Sequence, residues 1–292
     1  MNNQDKVHTH RGGASGTRNR VGVLLIHSLG GTPIELRFVA HALSRAGYVV
    51  HSPVLSGLAG GTDVSGLSSW KDWYAAVEHA HDELAKECDV ILVGGLSAGA
   101  MLALKLAAQR PDMVRGLMLF APTLWPNGWA IPWYFHFFRL VHYKWFARLF
   151  HFRQRDPYGI KDERIRNFII ETLKSENRSI EDMFGRGGGM VLEFRRLVQT
   201  VSKLLGSITQ QTLIFHPRDD DQSALGNAIT LQRQLGGPVE MHVLDDSYHM
   251  VTLDRQRALV VDRSVDFATR IARRLEDIEG VERLIKGAAG RE

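Results

Sequence analysis

Apolar residues along the chain come in short unbroken runs separated by stretches of helical period. Val21 to Ile26 (V-G-V-L-L-I) is such a run, as a strand buried on both faces of a parallel sheet requires. It breaks at H-S-L-G-G-T-P. From Thr32 to Ala46 the positions Leu36, Val39, Ala40 and Leu43 recur on one helical face, with Pro33 in the first turn and Gly47 just past the end. Tyr48 to Val54 reads as a second strand. The alternation goes on through a helix from Trp70 to Lys86, a strand from Asp89 to Val93, a helix from Ala98 to about Gln109 and a strand from Gly116 to Phe120. It resumes with strand Thr212–Phe215, helix Ala224–Leu235, strand Val239–Leu244 and helix Arg255–Leu275. Strands separated by single helices predict right-handed crossovers and an α/β fold, a mainly parallel sheet flanked by helices.

The interruption, residues 125–207, does not alternate. It carries dense aromatics between Trp129 and Phe152, then charged helical stretches and a Gly187-Gly188-Gly189 hinge. It reads as an inserted, mostly helical cap between two halves of a core, residues 20–124 and 208–276. Three roles stay open for its aromatic and basic face: a packed insert, a wall of a binding pocket, or a surface that touches membrane lipid. Residues 1–19 have no periodicity and read as a disordered leader, and residues 277–292 as a weak helix and tail.

Charge and cysteine content narrow the classes. Lys and Arg number 36 against 32 Asp and Glu, a net charge of +4 with no block of like charges, so no nucleic-acid stripe is present. A single cysteine, Cys88, excludes an internal disulfide. The first residues lack the apolar core of a signal peptide, and no run approaches the roughly 18 apolar residues of a membrane helix. A cytoplasmic location is the expectation. His136, His142 and His151 do not share a helical face, so no metal site is read there. His79 and His81, two apart on a helix, read as surface residues.

Gly95-Leu96-Ser97-Ala98-Gly99 stands between the buried strand V-I-L-V and the helix M-L-A-L-K-L-A. A G-x-S-x-G in that setting is a nucleophile elbow, a turn so tight that the serine's neighbours must be nearly without side chains. A serine hydroxyl needs a base, and the base needs an orienting acid, in the chain order Ser, acid, His. The last strand leads into Asp245-Asp246-Ser247-Tyr248-His249, which makes His249 the base. The strand before it leads into His216-Pro217-Arg218-Asp219-Asp220-Asp221; Asp220 is the preferred acid, with Asp219 and Asp221 as neighbours that stay open. Oxyanion donors are expected from the N–H of Ala98, at the start of the elbow helix, and of Leu29, in the loop after the first strand.

On these pieces the chain resembles the α/β-hydrolase superfamily, and within it the small bacterial carboxylesterase and monoacylglycerol-lipase-like branch. The resemblance rests on L-L-I-H-S-L-G-G-T-P, Gly47-Tyr48 with Pro53, S-W-K-D-W, G-L-S-A-G, F-H-P-R-D-D-D and D-S-Y-H-M-V-T-L-D. It covers about residues 21–122 and 210–270; the cap matches no motif. The family places its acid four residues after the histidine at 216, which is Asp220, and an oxyanion donor two after His27, which is Leu29. Ser28 and Pro217 stand where the family usually has glycine. The resemblance implies hydrolysis of an acyl ester through an acyl-enzyme, with no metal or organic cofactor. An acyl thioesterase acting on CoA or carrier-protein thioesters is the alternative, and a non-catalytic lipid-binding relative a more distant one.

Overall fold

The computed structural model describes residues 7–11, 21–59, 68–153, 155–175 and 185–289. Its core is a seven-stranded sheet in the order β1-β3-β2-β4-β5-β8-β9. The strands are β1 (Val7–Arg11), β2 (Val21–Ile26), β3 (Val49–Pro53), β4 (Val90–Leu96), β5 (Val114–Phe120), β8 (Gln211–Pro217) and β9 (Val239–Leu244). Six run parallel, and β1 pairs antiparallel with β3 at the edge. Residues 7–11 therefore correct the disordered leader: they pair in register with Val49–Pro53. The rest of residues 1–19 lies outside the described residues.

The unbroken apolar runs have a simple physical reason. In β2, Leu24 and Ile26 point into one buried cluster and Val23 and Leu25 into another. Helices α2 (Trp70–Ala85) and α3 (Ala98–Gln109) cover the first face; α1 (Arg37–Arg45) and the carboxyl-terminal helix cover the second. Helix α2 starts where the sequence allows a capping box, with the Ser69 N–H donating to Asp72 Oδ2 at 2.7 Å. His81 on this helix is buried, not a surface residue, because its face of α2 turns inward beside Ala80 and Leu84.

The insertion is more mixed than its composition suggests. A 3-10 turn (Trp133–Leu140) leads to α4 (Lys144–Ala147) and to β6 (His151–Arg153), which pairs antiparallel with the distant β7 (Gly185–Gly187). Two longer helices are α5 (Glu163–Ser175) and α6 (Gly188–Ser202). The expected glycine hinge is instead a packed junction. Gly188 and Gly189 begin α6, and a β-carbon on Gly188 would lie 2.1 Å from the Ala147 carbonyl oxygen. Arg195 on α6 holds the 3-10 turn by donating to the carbonyls of Phe138, Arg139 and Val141. The chain then returns to the core through β8, α7 (Gly226–Gln234) and β9, and ends in α8 (Arg257–Ala289), which runs on through most of the expected tail.

The parallel strands end in register: Ile26 is opposite Gly95, Leu96 opposite Phe120, Phe120 opposite Phe215 and Pro217 opposite Leu244. The loops after β2, β4, β8 and β9 therefore meet at one edge of the sheet, where ligands of such sheets are bound.

Candidate active site

Ser97 is the residue between β4 and α3. Its backbone has φ 55° and ψ −110°, a strained conformation for a side chain larger than glycine. Close packing enforces the turn. A β-carbon on Gly95 would lie 2.2 Å from the Gly99 backbone, and one on Gly99 would lie 2.2 Å from the Ile26 carbonyl oxygen. The two glycines are thus a steric requirement of pressing the elbow onto the end of β2.

The loops after β8 and β9 bring Asp220 and His249 together. Asp220 Oδ2 is 2.8 Å and Oδ1 3.0 Å from His249 Nδ1, with both side chains buried. Asp220 Oδ1 also accepts the N–H groups of Gln222 and Ser223 at 2.8 Å each. Burial alone would raise the Asp220 carboxyl, but His249, His216 and the Ser223 N–H outweigh it and hold the acid below its usual range. Burial alone would lower His249; the charge and hydrogen bond of Asp220, then Asp221 and Glu35, reverse this and hold the imidazolium above the ordinary histidine range. Asp219 is exposed on the same loop.

Asp221 does something different. It accepts the N–H of Gly159 at 2.8 Å and of His249 at 3.3 Å, so it joins the insertion to the histidine loop. Burial and the adjacent Asp220 push its carboxyl up to about 6. Asp254 acts in parallel, accepting the N–H groups of Lys161, Asp162 and Tyr248 at 2.7 to 3.0 Å.

The loop after β2 is tied down on several sides. His27 Nδ1–H donates to the Ser28 carbonyl at 2.9 Å while Nε2 accepts the Leu55 N–H at 3.1 Å. Burial pulls His27 down to about 4, which fixes it as a neutral strut. The Gly30 N–H donates to the Leu58 carbonyl. Ser28 donates its N–H and its hydroxyl to the two oxygens of Glu35, at 3.0 and 2.9 Å. Among the described residues, neither the Leu29 nor the Ala98 N–H donates to a protein acceptor.

Ser97, His249, Leu29 and Ala98 all line one cavity of about 870 Å³. Its far wall is the insertion, through Phe135, Phe138, Val141, Phe146, Phe150 and Phe152. These aromatics thus line the cavity. Ser97 Oγ lies 3.2 Å from Thr123 Oγ1 and makes no hydrogen bond to His249. Thr123, Glu35 and Arg186 also line this space and were not reached from the sequence. The one available signal was Ser28, a hydroxyl in a glycine position that needs an acceptor. Among the described residues no cluster of His, Cys, Asp or Glu could hold a metal ion, and no helix is long and apolar enough to cross a membrane.

The chain is similar to known proteins over most of its length. A thermostable monoacylglycerol lipase from Bacillus sp. (strain H-257) is 28% identical over 260 residues, covering 86% of this chain and 92% of its own. In fold, the chain is similar to a soluble variant of the monoglyceride lipase from Saccharomyces cerevisiae in complex with a substrate analogue. That likeness has a TM-score of 0.72 at 15% identity and covers 91% of this chain and 92% of the other. It is also similar to a structure from a study of LipS and LipT, two metagenome-derived lipolytic enzymes, at a TM-score of 0.69 and 24% identity over 91% of this chain and 97% of the other. The sequence profile of the alpha/beta hydrolase family matches residues 23–263, a stretch that runs from β2 through the elbow and past His249, and the chain belongs to that family.

Proposed function

We propose that this chain is a serine hydrolase that cleaves carboxylic esters with a substantial apolar acyl or alcohol part. The buried Asp220–His249 pair, set on the cavity that Ser97 lines, carries the reading. Asp220 accepts the His249 Nδ1–H, which leaves Nε2 as the proton acceptor. On reaction the Ser97 hydroxyl turns from Thr123 toward Nε2, gives up its proton and bonds to the ester carbonyl carbon. Such hydrogen bonds are commonly long before substrate binds. The oxyanion takes the N–H groups of Leu29 and Ala98, and His249 then protonates the departing alkoxide. Water repeats the sequence on the acyl-enzyme with His249 as base. No metal or organic cofactor enters this scheme. The Bacillus relative and the aromatic wall together favour a monoacylglycerol or similar single-chain ester.

Hydrolysis of p-nitrophenyl esters from acetate to palmitate, with a fluorophosphonate probe and Ser97→Ala beside the parent chain, tests this. Probe mass on Ser97 and loss of turnover in the variant are the expected results; turnover that survives in Ser97→Ala would end the proposal. A thioesterase reading has one observation in its favour, since Arg153 and Arg155 line the cavity and suit an acidic carrier. Matched oxygen esters and thioesters separate the two.

The outer face of the insertion carries Trp133, 74% exposed, with Tyr143, Trp145 and Leu149 also out. We propose that this face meets a lipid surface. Lys144 belongs to the fold, donating to the Ser68 carbonyl at 2.7 Å, so the aromatics are the better probes. Paired Trp133→Ala and Trp145→Ala should abolish co-sedimentation with anionic liposomes; no binding by the parent chain would dismiss the idea.

A further inference from the structure

Glu35 is half-buried as a residue, with its carboxylate enclosed at the cavity wall, and it hydrogen-bonds to neither Ser97 nor Asp220. Both of its carboxylate oxygens are committed to one neighbour, the Ser28 N–H to Oε2 and the Ser28 hydroxyl to Oε1. Its own carbonyl accepts the Thr252 hydroxyl at 2.6 Å, three residues beyond His249. Gly30 and Gly31, which precede it in the chain, leave space for its charge and its partner. A β-carbon on Gly31 would lie 2.0 Å from Glu35 Oε1, and one on Gly30 would lie 2.4 Å from the Arg186 guanidinium carbon. Arg186 belongs to β7 of the insertion, so the Gly30-Gly31 turn is backed by a carboxylate from the core and a guanidinium from the cap.

Resting on the serine-hydrolase reading above, we propose that Glu35 is a positioning residue that aims the Leu29 N–H at the oxyanion by gripping Ser28, with Arg186 of the cap as its counter-charge. A loop containing two adjacent glycines has wide backbone freedom, and oxyanion stabilisation requires donors fixed before the charge develops. Two charge-assisted bonds to one residue remove that freedom at the position just before the donor. Burial pushes the Glu35 carboxyl up, against the pull of the Ser28 bonds and the Arg186 charge. Burial brings Arg186 down to about 10, against the pull of Glu35. The device also ties oxyanion geometry to the placed cap, because withdrawing Arg186 leaves a buried carboxylate without its cation.

The groups whose charges act on His249 are Asp220, Asp221 and Glu35, with His216 near Asp220 at 3.6 Å. Removing the Glu35 charge therefore lowers the His249 pKa as well as loosening the loop.

The test uses the full chain and two readouts on Glu35→Gln, Ser28→Ala and Arg186→Met. One is the rate of Ser97 phosphonylation by a fluorophosphonate, which needs no knowledge of the natural substrate; the other is kcat and KM on p-nitrophenyl butyrate across pH. Loss of a whole oxyanion donor slows reaction about 100- to 1000-fold, so a misaimed one in Glu35→Gln should cost about 10- to 100-fold in kcat and in phosphonylation. KM should hold within about twofold, and the acid limb should move to lower pH. Ser28→Ala should lose less, and the double variant should be no slower than Glu35→Gln alone. A folded Glu35→Gln that is phosphonylated at the parental rate overturns the proposal, as does a loss that falls wholly in KM. Should Glu35→Gln fail to fold, Ser28→Ala at parental Tm decides in the same way. Probe mass on a residue other than Ser97 overturns this proposal and the hydrolase reading together, whereas labelling of Ser97 at equal rates in all variants overturns this one alone.

Discussion

His249 Nδ1 and Asp220 Oδ2 lie 2.8 Å apart across 29 residues of chain, in a position where each side chain is buried and the carboxylate is also held by two backbone N–H groups. Asp220 has no freedom to serve another partner, which separates it from its two aspartate neighbours. Asp220→Asn should lower kcat by about 10⁴-fold through loss of the required imidazole tautomer. Asp219→Asn, on the exposed side of the loop, should stay close to the parent. Steady-state kinetics of the two variants on one ester decide the matter, and equal losses would refute the assignment.

The same pair fixes the pH response. His249 is held above the ordinary histidine range, so its base form is lost earlier as the medium is acidified. The acid limb of kcat/KM should fall at a pH above the reference value of about 6.5 for a free histidine. A rate profile flat from pH 5 to 9 would exclude His249 as the base.

Asp221 makes a prediction about stability in place of rate. Its carboxyl is raised to about 6 in the folded chain, so the folded state binds this proton more tightly than the unfolded state does. The contribution is fully present below about pH 4 and is lost as pH rises through about 6. At 1.36 kcal/mol per pH unit the change is at most about 3 kcal/mol. Asp221→Asn removes it, so the variant's Tm relative to the parent should be higher at pH 8 than at pH 5. Thermal melts at the two values check the sign.

Phe152 sits among the rings of Phe135 and Phe138, with centroids 4.8 and 5.0 Å away, and lines the cavity. Phe152→Ala should raise KM for long-chain esters while leaving acetate nearly untouched. Each methylene that loses its contact weakens binding by about 0.8 kcal/mol, so two suffice for about tenfold. An equal change across the chain-length series would place the acyl chain elsewhere.

How much of this was legible in the sequence follows from where the constraints lie. Helix α3 begins and ends where the pattern puts it, and β9 likewise, because the elbow glycines and the V-E-M-H-V-L alternation act locally. The meeting of Ser97, Asp220 and His249 at one edge follows from strand order, which alternation and the family motifs supply together. The cap was not legible in detail. Its 3-10 turn is held by Arg195 from more than fifty residues away, a tertiary bond with no local period. Glu35 was hidden for the same reason: a polar residue in the opening turn of a helix resembles a solvated one until Ser28 and Arg186 close over it. His81 looked exposed beside His79 because spacing alone does not say which side of α2 faces the sheet.

Asp221 and Asp254 each accept N–H groups from residues 159–162 of the insertion and from the histidine loop. The insertion is therefore stitched into the carboxyl edge of the sheet by two carboxylates and cannot be regarded as an accessory. A minimal core made by excising residues 125–207 would leave both buried acids with only their histidine-loop partners and would remove the Gly159 carbonyl that accepts the Met250 N–H. Loop grafting in this scaffold should keep the 159–162 stitch and confine exchange to the outward aromatic turn. A graft made that way alters what enters the cavity while preserving the frame that holds His249.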